Sequence, residues 1–320
     1  MLVYKQPTII IIISFTISGF LLRFLLADFT LEYDGKLYYE YAATLAFQGS
    51  YPETITELHN IGWVFFLVPF FKVIGPNQEM LFFAQHIISI VISTGTIPMS
   101  YLFAKRFLPD RYAVFVPLLF AVDYRMAQNA GFGITEPLVM ILSLAAYWTK
   151  NRLFMFVFVG FACLVRFEAI MLIPVLLIIH KDKRLIPYVA IPVFILLALF
   201  VVNNSMGHSD QVVSKVSHEI EFVNHPSDNV TNNSNYWIKG LSNSLLYMVW
   251  AAFPTFVFSI YGILKHRWLF IVLAILSISG IYAYLDAYDT RYFFPMYPFL
   301  ALASAYAFER LQVNKFVGIR

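Results

Sequence analysis

Charged side chains are scarce in this chain of 320 residues. Asp, Glu, Lys and Arg together make up 13% of the sequence, about half the usual share in soluble domains, whereas 60% of the residues are hydrophobic. Apolar runs recur from the first residues to the last. The composition therefore excludes an ordinary soluble domain and predicts a single integral membrane domain over residues 1–320.

Cysteine is almost absent, and so are the Gly-rich loops that bind nucleotide phosphates. The one cysteine, Cys163, excludes a disulfide within the chain and a cysteine-based metal cluster. Its apolar surroundings predict a small filler side chain inside a transmembrane helix. Because no Gly-rich phosphate loop is present, nucleotide-driven transport has no support in the sequence.

Hydrophobic runs and basic loops together predict an all-α polytopic membrane bundle. The apolar stretch 61–75 is too short for an ordinary span, and if it does not cross, basic and acidic loops alternate cleanly. The positive-inside rule then makes the basic side, with both termini, cytoplasmic. The ten predicted spans are residues 8–27, 80–104, 112–130, 137–149, 153–165, 169–180, 185–203, 241–264, 268–285 and 292–309.

The first predicted span has a rival interpretation as a cleaved signal peptide. The run at 8–27 is long for the apolar core of a signal peptide, and Arg23 interrupts its end, so a retained anchor is favoured. On the non-cytoplasmic side, residues 28–75 then form a first outer loop with short juxtamembrane helices. Residues 204–240 form a second outer loop, rich in Asn and Ser.

Ionisable residues at the ends of membrane spans are costly to keep near lipid and therefore indicate function. Five of them lie on the predicted outer side: Asp34, Glu136, Arg166, Glu168 and Arg291. Asp34 belongs to a tyrosine-rich segment, and Tyr38 follows one helical turn later, so both side chains can face one site if the segment is helical. Arg166 and Glu168 have an equally good structural interpretation, as a pair of neighbouring opposite charges.

Arg291 and His59 are candidates for binding a phosphate group. Arg291 is predicted at the start of the last span, where a permanent cation joins the unpaired backbone N–H groups of a helix N-terminus. His59 lies just before the short apolar stretch at 61–75. A lone interfacial histidine is more often structural, so His59 is the second candidate.

The layout resembles the GT-C superfamily of membrane glycosyltransferases, in particular protein O-mannosyltransferases, lipid A aminoarabinose transferases and, more distantly, oligosaccharyltransferase catalytic subunits. The matching features are the acidic segment Tyr33-Asp34-Gly35 with Tyr38, the short apolar helix Ile61–Ile74, the basic turn Lys105-Arg106, the helix start Glu136-Pro137, and Arg291 in the late outer segment. O-Mannosyltransferases usually carry paired acids in the first loop. Here Asp34 is followed by Gly35, nearer the oligosaccharyltransferase pattern.

The resemblance implies transfer of a sugar from a polyprenyl-phosphate donor to a glycan, lipid or protein acceptor on the non-cytoplasmic face, with inversion at the sugar. Asp34 would be the catalytic general base. Arg291, with Arg166 as second choice, would bind the donor phosphate. Tyr38 and His59 would contribute to substrate binding, and no nucleic-acid partner is expected.

Glu136 would orient the acceptor or, in the metal-dependent branch of the family, help Asp34 to hold Mg²⁺ or Mn²⁺; no other cofactor is expected. Two other classes of function remain open. A lipid-linked-sugar flippase or polymerase would show basic residues along the bundle interior at several depths, whereas the sequence places charges mainly at outer ends. A non-catalytic membrane assembly protein would tolerate loss of Asp34.

Overall fold

The computed structural model describes residues 5–27, 29–30, 33–50, 61–205, 253, 255–265 and 296–310. Most of these residues are helical and none of them forms a strand, which confirms the predicted all-α class for this part of the chain. The helices are α1 (Lys5–Leu26), α2 (Tyr33–Gln48), α3 (Ile61–Ile74), α4 (Gln78–Ala104), α5 (Asp110–Ala113), α6 (Phe115–Val122), α7 (Tyr124–Ala130), α8 (Glu136–Trp148), α9 (Arg152–Val165), α10 (Leu172–His180), α11 (Ala190–Ser205), α12 (Thr255–Lys265) and α13 (Tyr297–Arg310). Two 3₁₀ segments, Phe167–Met171 and Lys183–Val189, lead into α10 and α11.

Two of the described helices are long and apolar enough to cross a membrane, namely Pro7–Leu26 and Gln78–Ala104. Six further apolar helices are 10–17 residues long. Much of α1 faces outward, with Ile10 and Leu25 among its exposed apolar side chains. The predicted span 268–285 and residues 206–240 of the predicted second outer loop lie outside the described residues.

Helix α4 lies at the centre of the bundle and packs against α1, α6, α7 and α8. One of its faces carries a buried row of small hydroxyl residues, including Ser89, Ser93, Thr96 and Ser100. Small hydroxyl side chains let helices approach closely, and several of them here donate to the backbone of α4 itself; Thr96, for example, donates to the carbonyl of Ser93. The polar side chains of the central helix therefore lie on its buried face, against the other helices.

Arg23 fixes α1 to this central helix. Its side chain is wholly buried, and Nε donates to Ser93 Oγ at 2.8 Å, Nη2 to the carbonyl of Phe120 at 2.9 Å and Nη1 to that of Gly19 at 3.1 Å. The Asp123 carboxylate is close enough to interact with it electrostatically. A charge taken out of water persists only when it is paired and hydrogen-bonded, as it is here. Arg23 lies in the last turn of α1 and Asp123 at the break before α7, so both are charges at helix ends, and both are buried.

The span predicted over 112–130 is not one helix. The structure divides it into α5, α6 and α7, and the last break falls at Asp123, whose backbone is extended. The Asp123 carboxylate accepts the backbone N–H of Met126 at 2.7 Å, so it caps the start of α7. Aspartate favours this capping position over a helix interior, because its short side chain satisfies a backbone N–H that the new helix leaves unpaired.

Basic side chains join several loops at one end of the bundle, which we call the basic end. Arg106, just after α4, donates to the carbonyls of Tyr147 and Thr149, the latter at 3.2 Å, where α8 ends. A cation is favourable there, because the last carbonyls of a helix are unpaired and carry partial negative charge. Arg152, at the start of α9, pairs with Asp182 at 2.8 Å.

At the other end of α9, close backbone packing fixes the position of α3. A Cβ atom added at Gly62 would lie 2.6 Å from the carbonyl carbon of Leu164, a separation that real side chains do not adopt. Because the obstacle is backbone, it cannot move aside as a flexible side chain does. Glycine at position 62 therefore lets α3 lie directly against the end of α9.

We predict that Gly62→Ala lowers the thermal unfolding temperature of the detergent-solubilised protein. The added methyl forces α3 away from α9, at a cost of about 1–3 kcal/mol, which exceeds the gain of at most about 1 kcal/mol from replacing a helical glycine. Gly95→Ala in α4 is the matched control, because its methyl would meet only the end of the Ile141 side chain, at 3.1 Å. Equal unfolding temperatures for the two variants would contradict the assignment.

Candidate active site

Asp34 lies in the first turn of α2, which begins at Tyr33. The segment is helical, so Asp34 and Tyr38 are one turn apart on the same side of α2. Asp34 is half-buried, whereas Tyr38 is 3% exposed and packs in the hydrophobic core. An acidic side chain in the first turn of a helix is favoured by the partial positive charge of the helix N-terminus.

Tyr39 attaches α2 to the start of α4. Its hydroxyl donates to the carbonyl of Gln78 at 3.4 Å, and its ring packs against Phe71 and Phe82. Partial burial raises the pKa of Tyr39, and the neighbouring Glu40 carboxylate adds to the effect. The hydroxyl therefore keeps its proton at neutral pH and remains a donor.

The carbonyl of Gly133 is the meeting point of three elements. Trp63 Nε1 of α3 donates to it at 3.0 Å, and Gln85 Nε2 of α4 donates to it at 2.8 Å. Both donating side chains are completely buried. Gly133 has a φ of +66°, a conformation that favours glycine, and it belongs to the turn that leads into α8.

Gln85 also reaches the start of α2. The same Nε2 donates to the carbonyl of Gly35 at 2.9 Å, so the carbonyl oxygens of Gly35 and Gly133 lie within about 6 Å of each other. Gly35 directly follows Asp34. One amide group thus joins the segment that carries Asp34 to the turn that leads to Glu136, at the end of the bundle opposite the basic end. We call this the site end.

Glu136 and Arg166 form a buried ion pair at the site end. Arg166 Nη1 lies 2.6 Å from Glu136 Oε1, and the side chains are 14% and 5% exposed, respectively. Thr135 Oγ1 donates to Glu136 Oε2 at 3.3 Å and lies 3.5 Å from Arg166 Nη1. Two residues that the sequence singled out separately are therefore direct partners. Glu168, the alternative partner of Arg166, lies in the 3₁₀ segment, but its side chain is outside the described residues.

A small cleft begins at Glu136 and lies between α4, α7 and α8. Its lining residues are Ser93, Thr96, Met126, Asn129, Glu136, Pro137 and Met140. A carboxylate, an amide and two hydroxyls beside methionine side chains are groups that bind water or the hydroxyl of a ligand. Ser93, which accepts from Arg23, separates this cleft from the buried arginine.

The described residues do not fit a divalent cation at Glu136. Within the part of the chain that the structure describes, no group of three or more His, Cys, Asp or Glu side chains could hold a metal ion. Both oxygens of Glu136 are already engaged, and the positive charge of Arg166 would repel a cation there. The sharing of a metal ion between Asp34 and Glu136 therefore stays a prediction without a supporting donor set.

Two predicted site residues, His59 and Arg291, lie outside the described residues. The sequence reasoning missed Gln85 and Trp63, which join the segments of the site end. Gln85 was visible as an amide inside a predicted span, and polar residues in such places indicate function. Which backbone groups it would contact was not visible, because both lie far from it along the chain.

No protein-family model matches the chain, and no curated protein matches it in sequence. The family and the activity are therefore matters for a proposal that rests on the site and is tested by experiment.

We predict that Arg166→Gln destabilises the protein far more than Arg152→Gln. Replacing Arg166 removes the cation that lies 2.6 Å from the buried Glu136 carboxylate, and breaking a buried pair costs about 3–5 kcal/mol. The Arg152–Asp182 pair is 37% and 33% exposed and contributes about 0–1 kcal/mol. Thermal unfolding in detergent measures both variants, and adding Glu136→Gln to Arg166→Gln should recover part of the loss. Similar unfolding temperatures for the two single variants would contradict a buried pair.

Proposed function

We propose that the chain is a membrane glycosyltransferase of the GT-C type. It transfers a sugar from a polyprenyl-phosphate donor to a glycan, lipid or protein acceptor on the non-cytoplasmic face, with Asp34 as the general base. The observation that carries the proposal is the Gln85 amide, which joins the Asp34 segment to the turn before Glu136. The backbone segments beside these two acidic residues thus meet at one amide, which supports a common site.

The proposed reaction is a single displacement. Asp34 takes the proton from the acceptor nucleophile, the nucleophile attacks the anomeric carbon, and the bond from that carbon to the phosphate oxygen breaks. The bonding electrons leave with the phosphate, which needs no general acid because it departs as a stable anion. Attack opposite the leaving group inverts the anomeric centre, so one base suffices.

The charge of the departing phosphate is stabilised by a cation, for which Arg291 is the first choice and Arg166 the second. The ion pair with Glu136 favours this order, because Glu136 neutralises the Arg166 guanidinium at 2.6 Å. Glu136, held by Arg166 and Thr135, has a carboxylate of fixed orientation beside the cleft. That suits the role of orienting the acceptor.

Aromatic side chains provide a path for the polyprenyl chain toward the site end. Phe24 packs against Phe29 with ring centroids 5.6 Å apart, and Phe29 in turn packs against Phe83 and His86, both at 5.7 Å. Phe24 and Phe83 are exposed on the outside of α1 and α4, and His86 adjoins Gln85. Each CH₂ group that such a surface removes from water contributes about 0.8 kcal/mol of binding.

The proposed topology has ten spans with both termini in the cytoplasm. The contacts of Arg106 with the end of α8, and of Arg152 with Asp182, gather three predicted cytoplasmic loops at the basic end. Gly35 and Gly133, on predicted outer loops, meet at the site end. In the ten-span arrangement, successive loops of the described helices must lie at opposite ends of the bundle, and these contacts agree with that requirement.

A flippase or polymerase is the weaker alternative. Arg23 is a basic residue inside the bundle, but its guanidinium donates to Ser93 and to two backbone carbonyls. It therefore holds helices together instead of lining a path for a charged substrate. The Asp34→Asn experiment below distinguishes a transferase from a non-catalytic assembly protein, because only the transferase needs the Asp34 carboxylate.

We predict that Asp34→Asn abolishes transfer in a reconstituted assay with polyprenyl-phosphate sugar donors, because an amide cannot accept the acceptor's proton. A loss of at least about 100-fold in kcat is expected for removal of a general base. Glu40→Gln, an exposed change on the same helix, is the matched control and should keep its activity. A stably folded Asp34→Asn protein with undiminished transfer would end the general-base assignment.

The topology predicts that a cysteine at position 105 is labelled only from the cytoplasmic side. Lys105 lies at the basic end, where it pairs with Asp110 at 3.2 Å. A membrane-impermeant maleimide applied to intact cells should leave Lys105→Cys unlabelled, and permeabilisation should expose it. A cysteine at Lys36, which is exposed near the site end, is the positive control for outside labelling. Labelling of position 105 from outside would overturn the orientation.

A further inference from the structure

We propose that Gln85 is the positioning residue of the site, fixing the Asp34 segment relative to the turn before Glu136. This inference deepens the proposed function and rests on it only where catalysis is measured. The geometric part, that one amide sets the relation between two loop segments, holds whatever reaction the site performs.

The chemistry of Gln85 suits this task. A primary amide has two N–H groups, and here they serve two carbonyls from separate segments, Gly35 at 2.9 Å and Gly133 at 2.8 Å. A hydroxyl has one proton to donate, and a lysine or arginine would bring a charge into a completely buried position. Glutamine meets these requirements, because its side chain is neutral, has two N–H donors and is long enough to reach both carbonyls.

The carbonyl oxygen of the same amide shows that Gln85 is not arranged for stability alone. Gln85 Oε1 is buried and has no hydrogen-bond partner among the residues that the structure describes. An unsatisfied buried acceptor costs about 1–3 kcal/mol, which offsets much of what the two N–H bonds contribute. The position therefore adds little net stability while it fixes two segments, a pattern expected at functional sites.

Because of Trp63, replacing Gln85 should affect the start of α2 more than the turn before α8. Because Trp63 donates independently to Gly133, the turn before α8 keeps one of its two fixed contacts when Gln85 is replaced. The start of α2 loses its hydrogen bond to α4 at Gly35, although Tyr39 still holds the second turn of α2 to Gln78. Loss of Gln85 should therefore loosen the Asp34 segment locally without unfolding the bundle.

A distance measurement tests the geometric part without any assay of activity. Nitroxide labels at Lys36→Cys and Phe132→Cys, in a Cys163→Ala background, report the separation of the two segments by pulsed electron spin resonance. Gln85→Met should broaden this distance distribution, because it removes both donors at similar volume. Gln78→Met, an exposed change on the same helix, should leave the distribution unchanged. An unchanged distribution in Gln85→Met overturns the proposal.

Gln85→Glu adds a readout that a packing defect would not produce. Burial raises the pKa of the introduced carboxyl, so the distribution should be broad only at a pH above that raised pKa, where the carboxylate has no proton to donate and repels both carbonyls. The protonated acid has one O–H and can restore one of the two hydrogen bonds, so the distribution should narrow as the pH falls. A width that does not depend on pH in Gln85→Glu overturns the hydrogen-bonding role.

The reconstituted transfer assay tests the catalytic part. Gln85→Met should lower kcat by about 10- to 100-fold, because displacement of a reacting group by about 1 Å costs that much. The KM for the donor should change by less than about two-fold, because donor binding does not use Gln85. A broadened distance with an unchanged kcat overturns positioning for catalysis. If the wild-type protein transfers no sugar while Gln85→Met broadens the distance, the glycosyltransferase assignment fails and the geometric part stands.

Discussion

The site end depends on a single backbone carbonyl, that of Gly133. In the interior of a helical bundle, an unpaired carbonyl is costly, and this one lies in a turn that leaves it outside any helical ladder. Trp63 and Gln85 both donate to it, so α3 and α4 meet at the same point. The second bond of Gln85 then brings in α2 at Gly35. Four segments that are distant in sequence thus meet through this oxygen atom and its two donors.

Two arginines inside the bundle, Arg23 and Arg166, join other helices through their hydrogen-bond partners. Arg23 is satisfied by Ser93 and backbone carbonyls deep between α1, α4 and α6, so it acts as a structural crosslink. Arg166 is satisfied by Glu136, which borders the cleft between α4, α7 and α8. Arg23 is fully buried and Arg166 is 14% exposed, and one partner of each, Ser93 and Glu136 respectively, lines the same cleft. Burial of a charge alone therefore does not identify a functional residue.

The sequence predicted the bounds of some apolar helices well. The short helix expected at 61–75 is Ile61–Ile74, and residues 137–149, predicted as a span, are found as the helix Glu136–Trp148, because polar or helix-terminating residues bound both apolar runs. The break at Asp123 escaped prediction, since one capping aspartate changes the mean hydropathy of a long run very little. Gln85 was equally unpredictable as the link between segments, because a sequence shows that an amide lies in a span but not which distant carbonyls it reaches.

The ion pair of Glu136 with Arg166 also bears on which of the two proposed substrates, the charged sugar donor or the neutral sugar acceptor, binds next to it. The two groups cancel each other's charge at 2.6 Å, so the pair presents little net charge to a substrate. A phosphate anion gains little from such a pair, and its binding there would have to compete with a buried carboxylate for the same guanidinium. An acceptor hydroxyl has no such conflict, because it needs only a fixed acceptor or donor atom. We therefore propose that the pair belongs to the acceptor side of the site and that Arg291 is the first choice for binding the donor phosphate, with Arg166 the second.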